Sequence, residues 1–187
     1  EQVLKLAAKE EFEDAEVDEL GTVVEKDYTP YHINQVLALK LVNRDAIAQA
    51  DLKIVVDAVN SVGGVVIPAL LRALGVKEII ELNCEPTGHF AHNPEPIPEN
   101  LTQIAAKMKE SRADLGIVVD PDVDRLALIS ENGEMFGEEY TLVSIADYVL
   151  QHNPGNTVSN LSSTRALRDV TERHGCKYYA SAVGEVN

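Results

Sequence analysis

From Lys53 onward the chain alternates short apolar β-branched runs with stretches of helical periodicity, and that alternation narrows its possible folds more than any other feature. Ile54-Val55-Val56 is a continuous apolar run of the kind found in strands covered on both faces. Ser61-Val62-Gly63-Gly64 breaks it, a helical stretch covers 65–74, Gly75 terminates that helix, and 77–82 reads as the next strand. A long loop over 83–97 carries Pro86, Pro94 and Pro96, with Pro98 just beyond. The helix expected over 98–112 places Leu101, Ile104, Ala105 and Met108 on one face. Two strands follow, at 115–119 and 125–130, and Asn132-Gly133 predicts a hairpin turn into a third, antiparallel one at 134–136. Gly137 precedes a helix that runs through Leu150, and after Pro154-Gly155 comes a fresh strand, helix and strand at 157–161, 163–174 and 177–180. Strands separated by helices imply a parallel sheet with helices on both faces. The expected class is therefore α/β: a three-layer α/β/α sandwich on a mostly parallel mixed sheet, plus the start of a second similar α/β domain. The last unit is too short to cover its own sheet, so the chain reads as a fragment that stops inside a domain.

Upstream of Lys53 the pattern is helical. Residues 1–25 hold nine acids and two lysines. Val3, Leu4, Leu6 and Ala7 have helical spacing, whereas Glu10-Glu11-Phe12-Glu13-Asp14 reads as a solvated connector. Thr29-Pro30 offers a cap followed by proline, and Ile33, Val36, Leu37 and Leu41 continue one amphipathic helix, with Asn43 capping another that ends at Ala50. The expected division is 1–29 as the end of a preceding domain and connector, 30–153 as one α/β domain, and 154–187 as the beginning of the next.

Composition excludes several classes of function. Sixteen Lys and Arg against 31 Asp and Glu leave a formal charge of −15. Nucleic acid and anionic membrane both require a basic footprint, so neither is expected as a partner. No apolar run approaches the ~20 residues of a membrane span. The opening Glu1-Gln2-Val3-Leu4 has no basic signal-peptide region. Cys84 and Cys176 stand apart in no ligand spacing and read as reduced core thiols, so the expected location is cytoplasmic.

The chemistry is concentrated in Ile117-Val118-Val119-Asp120-Pro121-Asp122-Val123-Asp124-Arg125. An apolar strand delivers Asp120, Asp122 and Asp124 at alternate positions, which in extended backbone point to one side. Three converging carboxylates repel unless a cation sits among them. An all-oxygen set without His or Cys suits a hard ion, Mg²⁺ foremost, or Mn²⁺ or Ca²⁺. Ligand sites in open α/β sheets also lie at the carboxyl ends of strands. Other readings compete. An EF-hand loop requires glycine where Arg125 stands and helices on both flanks, although Glu131 does occupy its twelfth position. A haloacid-dehalogenase-type phosphatase would use Asp120 as nucleophile, but it expects Thr or Val at the place of Asp124. The aspartates could also decorate a solvated turn, or belong to a non-catalytic metal-binding domain.

The Asp-x-Asp-x-Asp-Arg run after an apolar strand resembles the metal loop of the α-D-phosphohexomutases, the phosphoglucomutase, phosphomannomutase and phosphoglucosamine mutase group. The likeness extends to Ile54-Val55-Val56-Asp57-Ala58-Val59-Asn60 with Gly63-Gly64, similar to the opening of that family's second domain. It includes Asn93-Pro94-Glu95-Pro96 with Pro98-Glu99-Asn100-Leu101, and Asn132-Gly133 with Gly137-Glu138-Glu139. Ser162-Ser163-Thr164-Arg165 and Val183-Gly184-Glu185 look like the start of the third domain. The resemblance implies Mg²⁺ held by Asp120, Asp122 and Asp124, with Arg125 as a catalytic residue and Arg165 either facing the sugar phosphate cleft or making a surface salt bridge. It implies hexose phosphate and hexose 1,6-bisphosphate as substrate and intermediate, and a phosphoserine carrier in another domain. No Ser-His-Asn-Pro-like loop occurs here, so this chain alone is expected to be inactive without the remaining domains of the full-length protein. Ser162 and Glu185 stand where some relatives carry lysine and histidine, so no substrate contact carries over to them. His89-x-x-His92 reads as loop packing more readily than as a ligand pair, and Ser61-Val62-Gly63-Gly64 as a packed turn more readily than as an anion site.

Overall fold

The computed structural model describes residues 1–10 and 15–184, and the acidic stretch 11–14 and Glu185 lie outside them. Helix α1 (Gln2–Lys9) buries none of its side chains. Helix α2 (Thr29–Leu37) has Pro30 in its first turn, where a missing N–H costs nothing. It begins one residue earlier than expected: the Thr29 N–H donates to Asp27 Oδ1 at 2.8 Å, and Leu41 falls beyond the helix end. Helix α3 (Arg44–Gln49) carries the expected cap, with Asn43 Oδ1 accepting from the Ala46 N–H at 3.0 Å.

The chain then enters β1 (Lys53–Asp57), α4 (Gly63–Leu74) and β2 (Glu78–Leu82). Gly75 ends α4 at φ 96°, and the Gly75 and Val76 amides close onto the carbonyls of Arg72 and Leu71, a two-bond C-cap that favours glycine. After the 83–97 loop, residues Pro98–Asn100 form a 3₁₀ turn and α5 (Thr102–Ser111) begins later than expected. Strands β3 (Leu115–Val119) and β4 (Leu126–Ser130) follow, then α6 (Glu138–His152). A second unit comprises β5 (Thr157–Asn160), α7 (Ala166–Arg173) and β6 (Tyr178–Ser181).

The sheet order is β2-β1-β3-β4, with β1 parallel to both neighbours and β4 antiparallel to β3. The antiparallel member is thus β4, and 134–136 contributes only one bridge, Met135 to Ile129. Chain length explains this: the 120–125 connection is too short for a crossover of a dozen residues or more, so β4 must turn back beside β3.

Both faces of the sheet are covered, as expected for a three-layer α/β/α sandwich. On one face Val55, Val118 and Ile129 pack with Ile104 and Met108 of α5. On the other Ile54 and Val56 pack with Leu71, Val76 and the partly buried Ile47. Full burial of each such side chain contributes about 1.5–3 kcal/mol. Strands β5 and β6 form a separate parallel pair. Its inward residues meet α7, with Thr157 and Thr171 hydroxyls 2.6 Å apart, while Val158 and Tyr179 on the opposite face are 60% and 51% exposed. Among the described residues no helix is long and apolar enough to cross a membrane.

Candidate metal centre

Strand β3 ends at Val119, and the next residue, Asp120, is buried at the carboxyl edge of the sheet. Its Oδ1 accepts the Arg125 N–H at 3.0 Å, and its backbone carbonyl accepts the Val123 N–H at 3.2 Å. These bonds close 120–125 into a tight turn in which Val123 takes φ 62°, a left-handed conformation that β-branched residues rarely adopt. The turn brings one carboxylate oxygen each of Asp120, Asp122 and Asp124 within 4.8 Å of one another. The three aspartates converge as expected, but by a different route: the segment is a turn and not extended strand. The strand flanks also rule out the paired helices of an EF-hand.

The three carboxylates disturb one another. Asp124 is held above the ordinary carboxylate range, first by a hydrogen bond shared with Asp120 and then by the negative charge of Asp122, with Arg125 opposing. A cation among the three oxygens would remove that repulsion. Hard oxygen donors on a strand-end turn fit Mg²⁺ or Ca²⁺ in kind. Among the described residues this is the one group of three or more acidic, His or Cys side chains that could hold a metal ion.

Arg125 spans the rim. Its Nε lies 3.9 Å from both Asp120 Oδ2 and Asp124 Oδ1, and its Nη1 lies 3.5 Å from Glu95 Oε1. Beside it opens a cleft of about 320 Å³ lined by Asn93, Pro94, Glu95, Asp120, Pro121 and Arg125. The β1–α4 connection braces the turn from behind: Ser61 Oγ donates to the Pro121 carbonyl at 2.8 Å. Gly63 allows the close approach, because a Cβ there would lie 2.5 Å from a Val119 methyl.

This site sits on a recognisable frame. Residues 30–133 match the family model described as phosphoglucomutase/phosphomannomutase, alpha/beta/alpha domain II, and residues 137–187 match that for domain III. The chain belongs to the phosphoglucomutase/phosphomannomutase family. It is 34% identical over 186 residues to a phosphoglucomutase/phosphomannomutase of Thermococcus kodakarensis, covering 98% of this chain and 40% of that protein. It is 33% identical over 173 residues to a probable phosphoglucosamine mutase of Methanopyrus kandleri, covering 91% of this chain and 37% of the relative. The crystal structure of a Burkholderia thailandensis phosphoglucomutase/phosphomannomutase family protein superposes with a TM-score of 0.77 at 28% identity, over 97% of this chain and 38% of that one. The chain thus spans about 40% of the length of these relatives.

On this phosphohexomutase frame the other candidates fall into place. Arg165, three-quarters exposed at the start of α7, pairs with Asp169 at 2.9 Å and is absent from the lining of the cleft. Ser162 is tied to Asn160 Oδ1. The glycines that open α4 serve packing, since a Cβ on Gly64 would meet the Cys84 carbonyl oxygen at 2.1 Å. His92 docks on the buried Asp57, Nε2 to Oδ2 at 3.1 Å. Both thiols are free, and burial pushes Cys84 up to about 11, helped by the nearby Glu81 and Asp57 charges. Sequence reasoning missed Asp57, Ser61 and Glu95 as parts of the site. Asp57 carried a usable signal, because it ends an apolar strand just as Asp120 follows one. Glu95, in a proline-rich loop, carried none.

Proposed function

We propose that this chain is the metal-holding part of a phosphohexomutase that interconverts hexose 1-phosphate and hexose 6-phosphate through a phosphoserine and a bisphosphorylated sugar. The observation that supports this most directly is the convergence of three carboxylate oxygens within 4.8 Å at the sheet's carboxyl edge, beside a guanidinium. The donor set suits Mg²⁺, which when bound stabilises negative charge developing on a transferring phosphoryl group. Asp120, Asp122 and Asp124 would hold it, Asp120 being anchored by the Arg125 N–H. Arg125, always charged and with a rigid fork of donors, serves as the catalytic residue that orients phosphate oxygens entering the adjoining cleft. Its cationic head also offsets the repulsion that a chain of net charge −15 presents to an anionic sugar phosphate.

Arg165 is a further candidate for the substrate phosphate. Its exposed i,i+4 pair with Asp169 is of a kind that contributes about 0.3–0.5 kcal/mol and exchanges readily for a better anion. The division into 1–29, 30–153 and 154–187 belongs to the same proposal, with α6 as the joint because it packs on both β4 and α7. The remaining domains of the full-length protein would supply the phosphoserine, so this chain alone should convert no hexose phosphate. Two free thiols fit residence in the reducing cytoplasm.

Calorimetric titration with Mg²⁺ and Mn²⁺ tests the assignment. Asp122→Ala should weaken divalent binding by about tenfold or more, the loss expected when a metal site is damaged. Absence of divalent binding in the intact protein, or undiminished binding after the substitution, sinks the ligand set. Trapping an aspartyl phosphate on Asp120 would overturn the mutase reading in favour of a phosphatase.

A further inference from the structure

Asp57 is the most deeply buried carboxylate among the described residues, with no exposed surface, at the end of β1 and outside the metal triad. Its oxygens are fully engaged. Oδ1 accepts from the Val59 N–H at 3.1 Å and from Asn83 Nδ2 at 3.2 Å, and Oδ2 meets His92 Nε2 at 3.1 Å. The first of these bonds supports a strained turn, because the buried Val59 takes φ 49°. His92 in turn spends its second ring nitrogen on the loop: Nδ1 lies 2.8 Å from the Asn93 carbonyl, which can only accept, so Nδ1 donates. The imidazole therefore bridges the core of the sheet and the backbone of the 83–97 loop.

Two residues further along, the loop presents Glu95. Its N–H donates to Asn93 Oδ1 at 3.2 Å and its carbonyl accepts from Asn100 Nδ2 at 2.8 Å, so its backbone is held at both ends. Its carboxylate lies 3.5 Å from Arg125 Nη1, on the side of the guanidinium away from the Nε edge that faces Asp120 and Asp124. An exposed Arg–Glu pair does little to fix an arginine by itself, since both side chains are half-exposed and entropy opposes the contact. It can do so only if the glutamate's backbone is placed in advance, and the buried Asp57–His92 pair does that placing.

The geometry points to Asp57 and His92 as positioning residues for Arg125, acting through Glu95. The pair seats the proline-rich loop so that Glu95 holds the guanidinium over the metal-facing rim. This inference rests on the reading of Arg125 as a working residue, but its deciding readout, the Arg125 resonance, needs neither metal nor turnover.

In the intact protein labelled with ¹⁵N-arginine, the Arg125 Nε–Hε resonance reports the guanidinium environment, and loss of the signal in Arg125→Lys assigns it. His92→Ala should move that resonance in the same direction as Glu95→Gln, and the double variant should move it no further than the larger single shift. Mn²⁺ affinity should change by less than about twofold in His92→Ala, the scatter expected of an independent site. An Arg125 resonance that stays put in His92→Ala, whatever happens to the melting temperature, makes the pair a fold element only and overturns the proposal. Shifts that add in the double variant also overturn it, because the influence then does not run through Glu95. If His92→Ala does not fold, His92→Asn carries the same comparison, since it keeps a donor for Asn93 and cannot reach Asp57. Failure of the unmodified protein to bind Mn²⁺ would sink the metal reading and leave the arginine comparison standing.

Discussion

The four-stranded sheet and the two-stranded sheet are built from the same strand-helix-strand grammar, yet they differ in what covers them. Strand β1 has Ile54, Val55 and Val56 all buried, with α4 on one side and α5 on the other. Among the described residues, strands β5 and β6 have α7 on one side, and Val158 and Tyr179 face outward on the other. The first unit can fix a strained turn at its edge because the strand that feeds it is locked on both faces. The second closes on its α7 side through the hydroxyl pair of Thr157 and Thr171. Here three like charges are held together at the end of a sheet covered on both faces.

The sharpest way to break that comparison is to cut into the covered unit. Ile104→Ala removes a wholly buried side chain between α5 and the sheet and should cost about 2–5 kcal/mol in denaturant unfolding. A loss below the range of ordinary surface substitutions would mean that α5 is not a true layer of the sandwich.

The covered edge should also shield its thiol. Cys84 is raised to about 11 from 9.0, which lowers its thiolate fraction at pH 8 by roughly a hundredfold, so labelling of the folded protein should be slow and should recover on denaturation. The sign follows for stability too. A thiol raised on folding leaves stability intact below the unfolded value and erodes it as pH climbs from about 9 towards 11. Labelling of Cys84 at the rate of an exposed thiol would show the β2 end of the sheet to be open.

Arg125→Lys probes the rim. With mutase turnover as the readout in the full-length protein, losing one charge-assisted bond to the transferring group should cost about 1.5–3 kcal/mol, roughly ten- to hundredfold in kcat. Divalent affinity should hold, because the three carboxylates remain. Unchanged kcat would leave Arg125 as a charge balancer, and a collapse of affinity would make it a scaffold for the triad.

The smallest effect belongs to the bare face. Val158→Ala should change the unfolding free energy of this chain by no more than about 0.5 kcal/mol, since the side chain is 60% exposed and has little packing to lose. A large loss would show that the outer face of the second sheet is covered in solution.

Much of this was legible in the residues. The strand at 115–119, the caps at Asn43 and Gly75 and the two-layer cover of the sheet follow from periodicity and turn chemistry, which act over a few neighbouring positions. The convergence of Asp120, Asp122 and Asp124 was legible as well, because alternate aspartates just after an apolar strand start from one strand end. The hairpin at 132–136 and its antiparallel contact with β4 were placed correctly, but the antiparallel run of β4 against β3 was missed, although the short 120–125 connection already forbade a crossover.

What the residues by themselves determined is therefore the α/β class, the place of the site at a strand's carboxyl end, and its oxygen-only chemistry. Tertiary structure alone decided how the carboxylates meet, through a left-handed Val123 in a turn braced by Ser61 and Gly63. It alone decided that Asp57, 35 positions before His92, clasps it and sets Glu95 against Arg125. The reason is physical: periodicity encodes which side of an element is buried, whereas a hydrogen bond between distant loops exists only once the sheet has aligned the ends of its strands.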